Sequence, residues 1–240
     1  PEFLLTHPLS QERIADSTLR ARQLPQTGEL NSLDYLLIRT RLLAIINSKD
    51  TSNISLLQKQ LQEQPNNEVN RLALAFALLN ADEYQAARAE VNTLRQQAPQ
   101  RIDYVIAQAD IELADNQPKI ALDVLQQALL LNPNNDALRF YAASAAIKTQ
   151  QYPLALTWLT SLSFERPEDP NVWHKLIEVY QAQKAGVDLL RARAEYSFLV
   201  GNIDKALKDL EQAKRLAQNN YPLLAKINVR FLTLTELKAN

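Results

Sequence analysis

Apolar residues recur along most of this 240-residue chain at three- and four-residue intervals, and nowhere in sustained alternation. That spacing predicts helices and no strands. Val69, Leu72, Phe76 and Leu79 mark one such helix, and Ile203, Ala206, Leu210 and Ala213 mark another. Polar gaps separate the elements. The stretch 47–53 divides apolar segments at 35–46 and 54–61, and Gly201-Asn202 divides a helical pattern over 187–200 from the helix that opens at Ile203. A last helix is expected over 222–238.

The helices are spaced at a constant interval. Pro65, Pro99, Pro133 and Pro167 stand 34 residues apart. Other positions keep the same step: Ala75, Ala109 and Ala143; Ala87, Ala121 and Ala155; Val91, Leu125 and Leu159; Leu94, Ala128 and Leu162. Each series has a physical reading. The alanines sit where two helices cross closely and a larger side chain would part them. Tyr84 and Tyr152 open second helices and can fill gaps between hairpins. Each proline follows a helix that it cannot continue. Asn66-Asn67 and Asn134-Asn135 then supply turn chemistry.

Stretches 68–101, 102–135 and 136–169 resemble the tetratricopeptide repeat family over their whole length. The resemblance implies an all-α solenoid of helical hairpins, wound as a right-handed superhelix. Stretch 34–67 reads as a degenerate first repeat and 170–220 as irregular repeats. In the latter, Trp173, Leu176 and Tyr180 fall on the consensus, but no ordinary second helix precedes Gly186. The segment after Gly186 is therefore expected to close one unit and open the next. The final helix caps the stack. Its Leu223, Leu224, Ile227 and Phe231 either face inward, as a monomer requires, or form a contact between chains.

Family geometry places the first helices on a concave face. It implies a partner-binding groove of Leu72, Phe76, Leu79, Asp103, Ile106, Asp110, Phe140, Ser144 and Ile147, bordered by Val69, Asn80, Leu113, Ala137 and Lys148. The Lys and Asn pattern with which chaperone-binding relatives clamp a terminal carboxylate is missing. Phe76, Ile106 and Phe140 suit apolar, extended or helical segments. Asp103 and Asp110 fit packing poorly and would repel acidic ligands.

Composition narrows the partners to proteins or peptides. A formal net charge of −1 with no basic run argues against nucleic acid and anionic lipid. The longest apolar run, 72–79, has eight residues, too few for a membrane span. Catalytic motifs are missing as well. The histidines are His7 and His174, with no HExxH and no cysteine. Three glycines cannot build a phosphate-binding loop. Glu168-Asp169 lies in a turn beside proline and reads as solvated.

The leading residues are not repeat-like. Phe3, Leu4 and Leu5 form an apolar clip, Pro8 holds His7 extended, and Ser10 is a good N-cap for a helix from about Gln11 to Leu24. Phe3, Thr6, His7, Pro8, Arg13 and Ile14 also match, in order, the closing phrase of M48-type zinc metalloprotease domains. Helical repeats after that phrase are typical of the periplasmic branch of the family. The resemblance implies that 1–30 is the tail of a protease domain with its connecting helix, and 31–240 the solenoid. Zinc and the HExxH helix would belong to a parent protein, of which this chain looks like an excised, non-catalytic piece. His7 is the one residue to which a near-zinc role transfers; otherwise it is solvated. The function implied is a periplasmic protein-binding module that docks a protease on outer-membrane assembly machinery or holds unfolded substrates. A stand-alone scaffold unrelated to proteolysis is the alternative.

Overall fold

A computed structural model describes residues 11–23, 31–46 and 52–239. The segment containing Phe3, His7 and Pro8 lies outside the described residues. Among the described residues there are thirteen helices and no strand. Two units are distinct, one ending at Leu36 and one running from Leu37 onward. The first holds α1 (Gln11–Gln23) and the opening turn of α2 (Leu33–Ile46). The second holds the rest of α2, α3 (Ile54–Glu63) and the hairpins described next.

Three regular hairpins follow the 34-residue step: α4 (Glu68–Asn80) with α5 (Tyr84–Gln97), α6 (Ile102–Ala114) with α7 (Pro118–Leu131), and α8 (Asp136–Lys148) with α9 (Tyr152–Glu165). Proline ends each unit as its chemistry dictates. The residues before the four prolines, Gln64, Ala98, Asn132 and Arg166, take φ between −132° and −138° and leave the helix. Two residues after Pro65, Pro133 and Pro167 a side chain caps the next helix, whereas Arg101 after Pro99 does not. The Asn67 side chain accepts from the Asn70 amide and that of Asn135 from the Leu138 amide, each at 3.0 Å.

The turn inside each hairpin repeats too. Asp82, Asn116, Gln150 and Lys184 all have φ near +60°, the left-handed region. The next amide in each case donates back to the carbonyl five residues earlier, at 2.7 to 2.9 Å, which closes the helix end.

Packing explains the alanines. Ala75, Ala109, Ala143, Ala87, Ala121 and Ala155 are fully buried, and Val91, Leu125 and Leu159 fill the core between them. With small residues at the crossings, α4 contacts α6, α6 contacts α8, and α8 contacts α10 (Pro170–Ala182), so first helices lie side by side along one face. Charge pairing locks neighbouring hairpins. Arg88 of α5 donates twice to Glu112 of α6, both bonds 2.8 Å, and the Glu112 side chain is only 2% exposed.

The array changes phase after α10. Helix α11 (Gly186–Leu199) packs against both α10 and α12 (Ile203–Leu216). The α11–α12 turn repeats the left-handed geometry, with Gly201 at φ +81° and the Asn202 amide donating to the Ser197 carbonyl at 2.7 Å. One helix therefore closes one hairpin and opens the next. Helix α13 (Tyr221–Ala239) packs on α12, and Leu223, Leu224, Ile227 and Phe231 turn inward onto Leu210 and Ala213.

Stretch 34–67 departs from expectation. Both its helices form, but α2 does not pack along α3 as the first helix of a hairpin would. It reaches α4, α6 and α8 through side chains. Helix α2 is apolar on nearly every side, so periodicity alone could not tell a hairpin partner from a helix laid on another surface.

Candidate protein-binding groove

The first-helix face is made by α4, α6 and α8, which the alanine crossings bring together. Phe76, Asp110 and Ser144 are equivalent residues, one per repeat. Arg41 of α2 projects between these helices. Its guanidinium lies 5.6 Å from the Phe76 ring centre and 5.0 Å from that of Tyr141. It donates to Asp110 at 2.5 Å and to the Tyr141 hydroxyl. The Asn80 side-chain amide adds a 3.2 Å bond to the Ala44 carbonyl.

The electrostatics follow from this geometry. Burial pushes the Asp110 carboxyl above its ordinary range, and Arg41 pulls against it. Arg41 is a permanent cation, and its attraction favours the charged carboxylate against that burial. Burial acts to lower the Arg41 value, but Asp110 and Tyr141 outweigh it and the net shift is upward. Burial likewise raises Tyr141, which stays a neutral phenol.

The expected groove residues do not all meet here. Phe76 and Asp110 line the Arg41 pocket. Leu72 and Ile106 are only 1% and 7% exposed. Asp103 is half-buried and stands 3.8 Å from Arg101, on the same turn. Its place is at the edge, as an ion-pair partner. The Ser144 hydroxyl donates to the Phe140 carbonyl at 3.0 Å. Phe140 meets Tyr141 edge-on, their centres 6.0 Å apart. Leu79 and Ile147 are half-buried, Lys148 and Ala137 exposed. Asp110 is the clearest revision: its charge answers Arg41 across 69 residues of sequence. Sequence reasoning passed over Arg41 and Tyr141. The available signal was a lone pair of arginines, Arg39 and Arg41, inside an otherwise apolar helix.

A second concavity of about 550 Å³ lies among α9, α10, α11 and α13. Trp173, Tyr180, Phe198 and Leu176 form its apolar wall. Arg230 and Glu195 form a polar wall, joined by bonds of 2.6 to 3.1 Å. Phe164, 81% exposed, stands at its edge. Among the described residues no three His, Asp or Glu side chains converge as a metal site needs, and no helix is long and apolar enough to cross a membrane.

The tetratricopeptide repeat family model matches residues 54–111 and 112–178, more than half of the chain. The chain belongs to the tetratricopeptide repeat family. The match opens at Ile54, the first residue of α3, and so leaves α2 outside the repeats. Tetratricopeptide arrays are protein-interaction folds. Two curated relatives are β-barrel assembly-enhancing proteases. The one from Yersinia pestis is 30% identical over 89% of this chain and 44% of its own length. The one from Escherichia coli K12 is 28% identical over 99% of this chain and 49% of its own. The chain thus spans about half the length of the curated relatives it matches. Among solved structures, a tetratricopeptide repeat protein from Parabacteroides merdae is 13% identical, with a TM-score of 0.53 over 94% of this chain and 90% of that one. That likeness concerns the fold alone.

Proposed function

We propose that this chain is the protein-binding part of an M48-type zinc metalloprotease of the periplasm. In this reading it docks the enzyme on outer-membrane protein assembly machinery or holds unfolded barrel polypeptides. The observation that carries the reading is the first-helix face, where aromatic rings flank the arginine-binding Asp110, on a chain whose relatives are named for assisting barrel assembly. In this reading hydrolysis and zinc belong to a protease domain of the parent protein and not to the residues described here. The residues here supply shape, aromatic contact and a negative anchor. They recognise apolar or cationic segments rather than acidic ones.

A photo-activated cross-linker at Leu79, Ser144 or Ile147 tests this when the protein is mixed with purified assembly components and an unfolded barrel polypeptide. Cross-links are expected from these positions and not from exposed Leu130 on a second helix. Cross-links from Leu130 alone would reverse the assignment of the binding face.

A further inference from the structure

We propose that the Phe76–Asp110–Tyr141 pocket is an arginine-recognition site for helical segments. Helix α2 fills it in cis, and a partner helix with the same pattern competes for it. This deepens the reading that the first-helix face binds protein segments, and rests on it, by stating what the bound segment must carry.

Three successive repeats each contribute one part: an aromatic ring from α4, a carboxylate from α6, a ring and a hydroxyl from α8. Two rings beside one carboxylate suit a planar guanidinium, which stacks and donates at once, better than a compact ammonium. The pocket is built by helices whose positions the buried alanines set, not by the α2 backbone.

Helix α2 has the character of an occupant. It does not pack along α3, and repeat-family similarity begins only after it. Of its two arginines Arg41 is turned inward, on the same face as Leu37, while Arg39 is exposed and Ile38, Leu42 and Ile46 are each more than half exposed. Arg41 thus adds a polar clasp to a narrow buried face that Leu37 anchors. Charge complementarity names the competitor. Removing Arg41 strips a mostly buried carboxylate of its cation, so an incoming helix must bring an arginine. The α2 pattern further asks for leucine four residues earlier, as Leu37 precedes Arg41; Leu37 is fully buried.

The test uses a fluorescent peptide with the sequence of residues 31–46 and the full chain as receptor, read by anisotropy. The peptide is expected to bind the Arg41→Ala chain about tenfold or more tighter than the unsubstituted chain, where α2 competes. Asp110→Asn in that background, or alanine in place of the peptide's arginine, is expected to weaken binding by a similar factor. Circular dichroism establishes that each variant is folded. Should Arg41→Ala fail to fold, Arg41→Lys serves as receptor, since its weaker clasp still yields to the arginine peptide. Equal binding with and without the Asp110 carboxylate, or no binding to a folded receptor, overturns the proposal. Cross-links from Ser144 or Ile147 that persist in that event would keep the docking function and discard only this ligand chemistry.

Discussion

Replacing Leu125 with alanine tests how the repeats share their stability. Leu125 lies on α7, fully buried, in a core that includes Ala109, Ala121, Leu122, Leu138 and Leu159. The substitution removes three carbons from that core, worth about 0.8 kcal/mol each in transfer alone. The unfilled space adds to this, because closely packed helices relax only in part. The expected total is about 3–4 kcal/mol. In a stack where each hairpin touches mainly its neighbours, the loss should be local. The core around Leu210, Ala213, Ile227 and Leu234 is a separate cluster. Amide hydrogen exchange followed by mass spectrometry should therefore show protection falling in α6, α7 and α8, and little change in α12 and α13. An equal drop at both ends would show one all-or-none unit and refute the nearest-neighbour argument. A loss below about 1 kcal/mol would refute the packing argument itself.

Two further outcomes follow from the described geometry. Glu165 is held down to about 2 by its bonds from Arg139 and Ser161, with Arg166 adding a smaller pull. A carboxylate with a depressed folded value stabilises the fold above its ordinary 4.5, and that stabilisation is lost as pH falls through about 2. Glu165→Gln should lower the urea midpoint at pH 7 and flatten the acid decline between those two values; an unchanged acid slope would show that the pair contributes nothing. The glycines should respond in opposite directions. At Gly186, in the first turn of α11, an added methyl would meet only Leu216 Cδ1 at 3.6 Å, so Gly186→Ala should raise stability by about 0.4–1 kcal/mol. Gly201 has φ +81°, so Gly201→Ala should cost about 1–2 kcal/mol, and thermal melts of the two variants moving the same way would contradict this.

The array was legible because its geometry repeats. A proline that ends a helix and an alanine that admits a crossing leave the same mark every 34 residues, and an asparagine caps the next helix in alternate repeats, at Asn67 and Asn135. The shared role of α11 was legible too, since the pattern lacked a second helix before Gly186. The groove was less so. A position within one repeat does not say whether a side chain faces open space or an adjoining helix. Leu72 and Ile106, expected on the open face, are buried instead. Arg41 and Asp110 are 69 residues apart and belong to different periodicities, so no local spacing connects them. Likewise, the apolar repeat of α2 is the same whether the helix pairs with α3 or lies across α4, α6 and α8.

The left-handed turn residues advance by 34 from Asp82 to Lys184, then by only 17 from Lys184 to Gly201. Upstream, segments could be exchanged or duplicated in whole multiples and every strut would keep its mate. Across the half-step, a whole-unit swap leaves one strut orphaned. The last three helices thus form a cassette, transplantable only onto an acceptor that stops after the first helix of a repeat, as α10 does here.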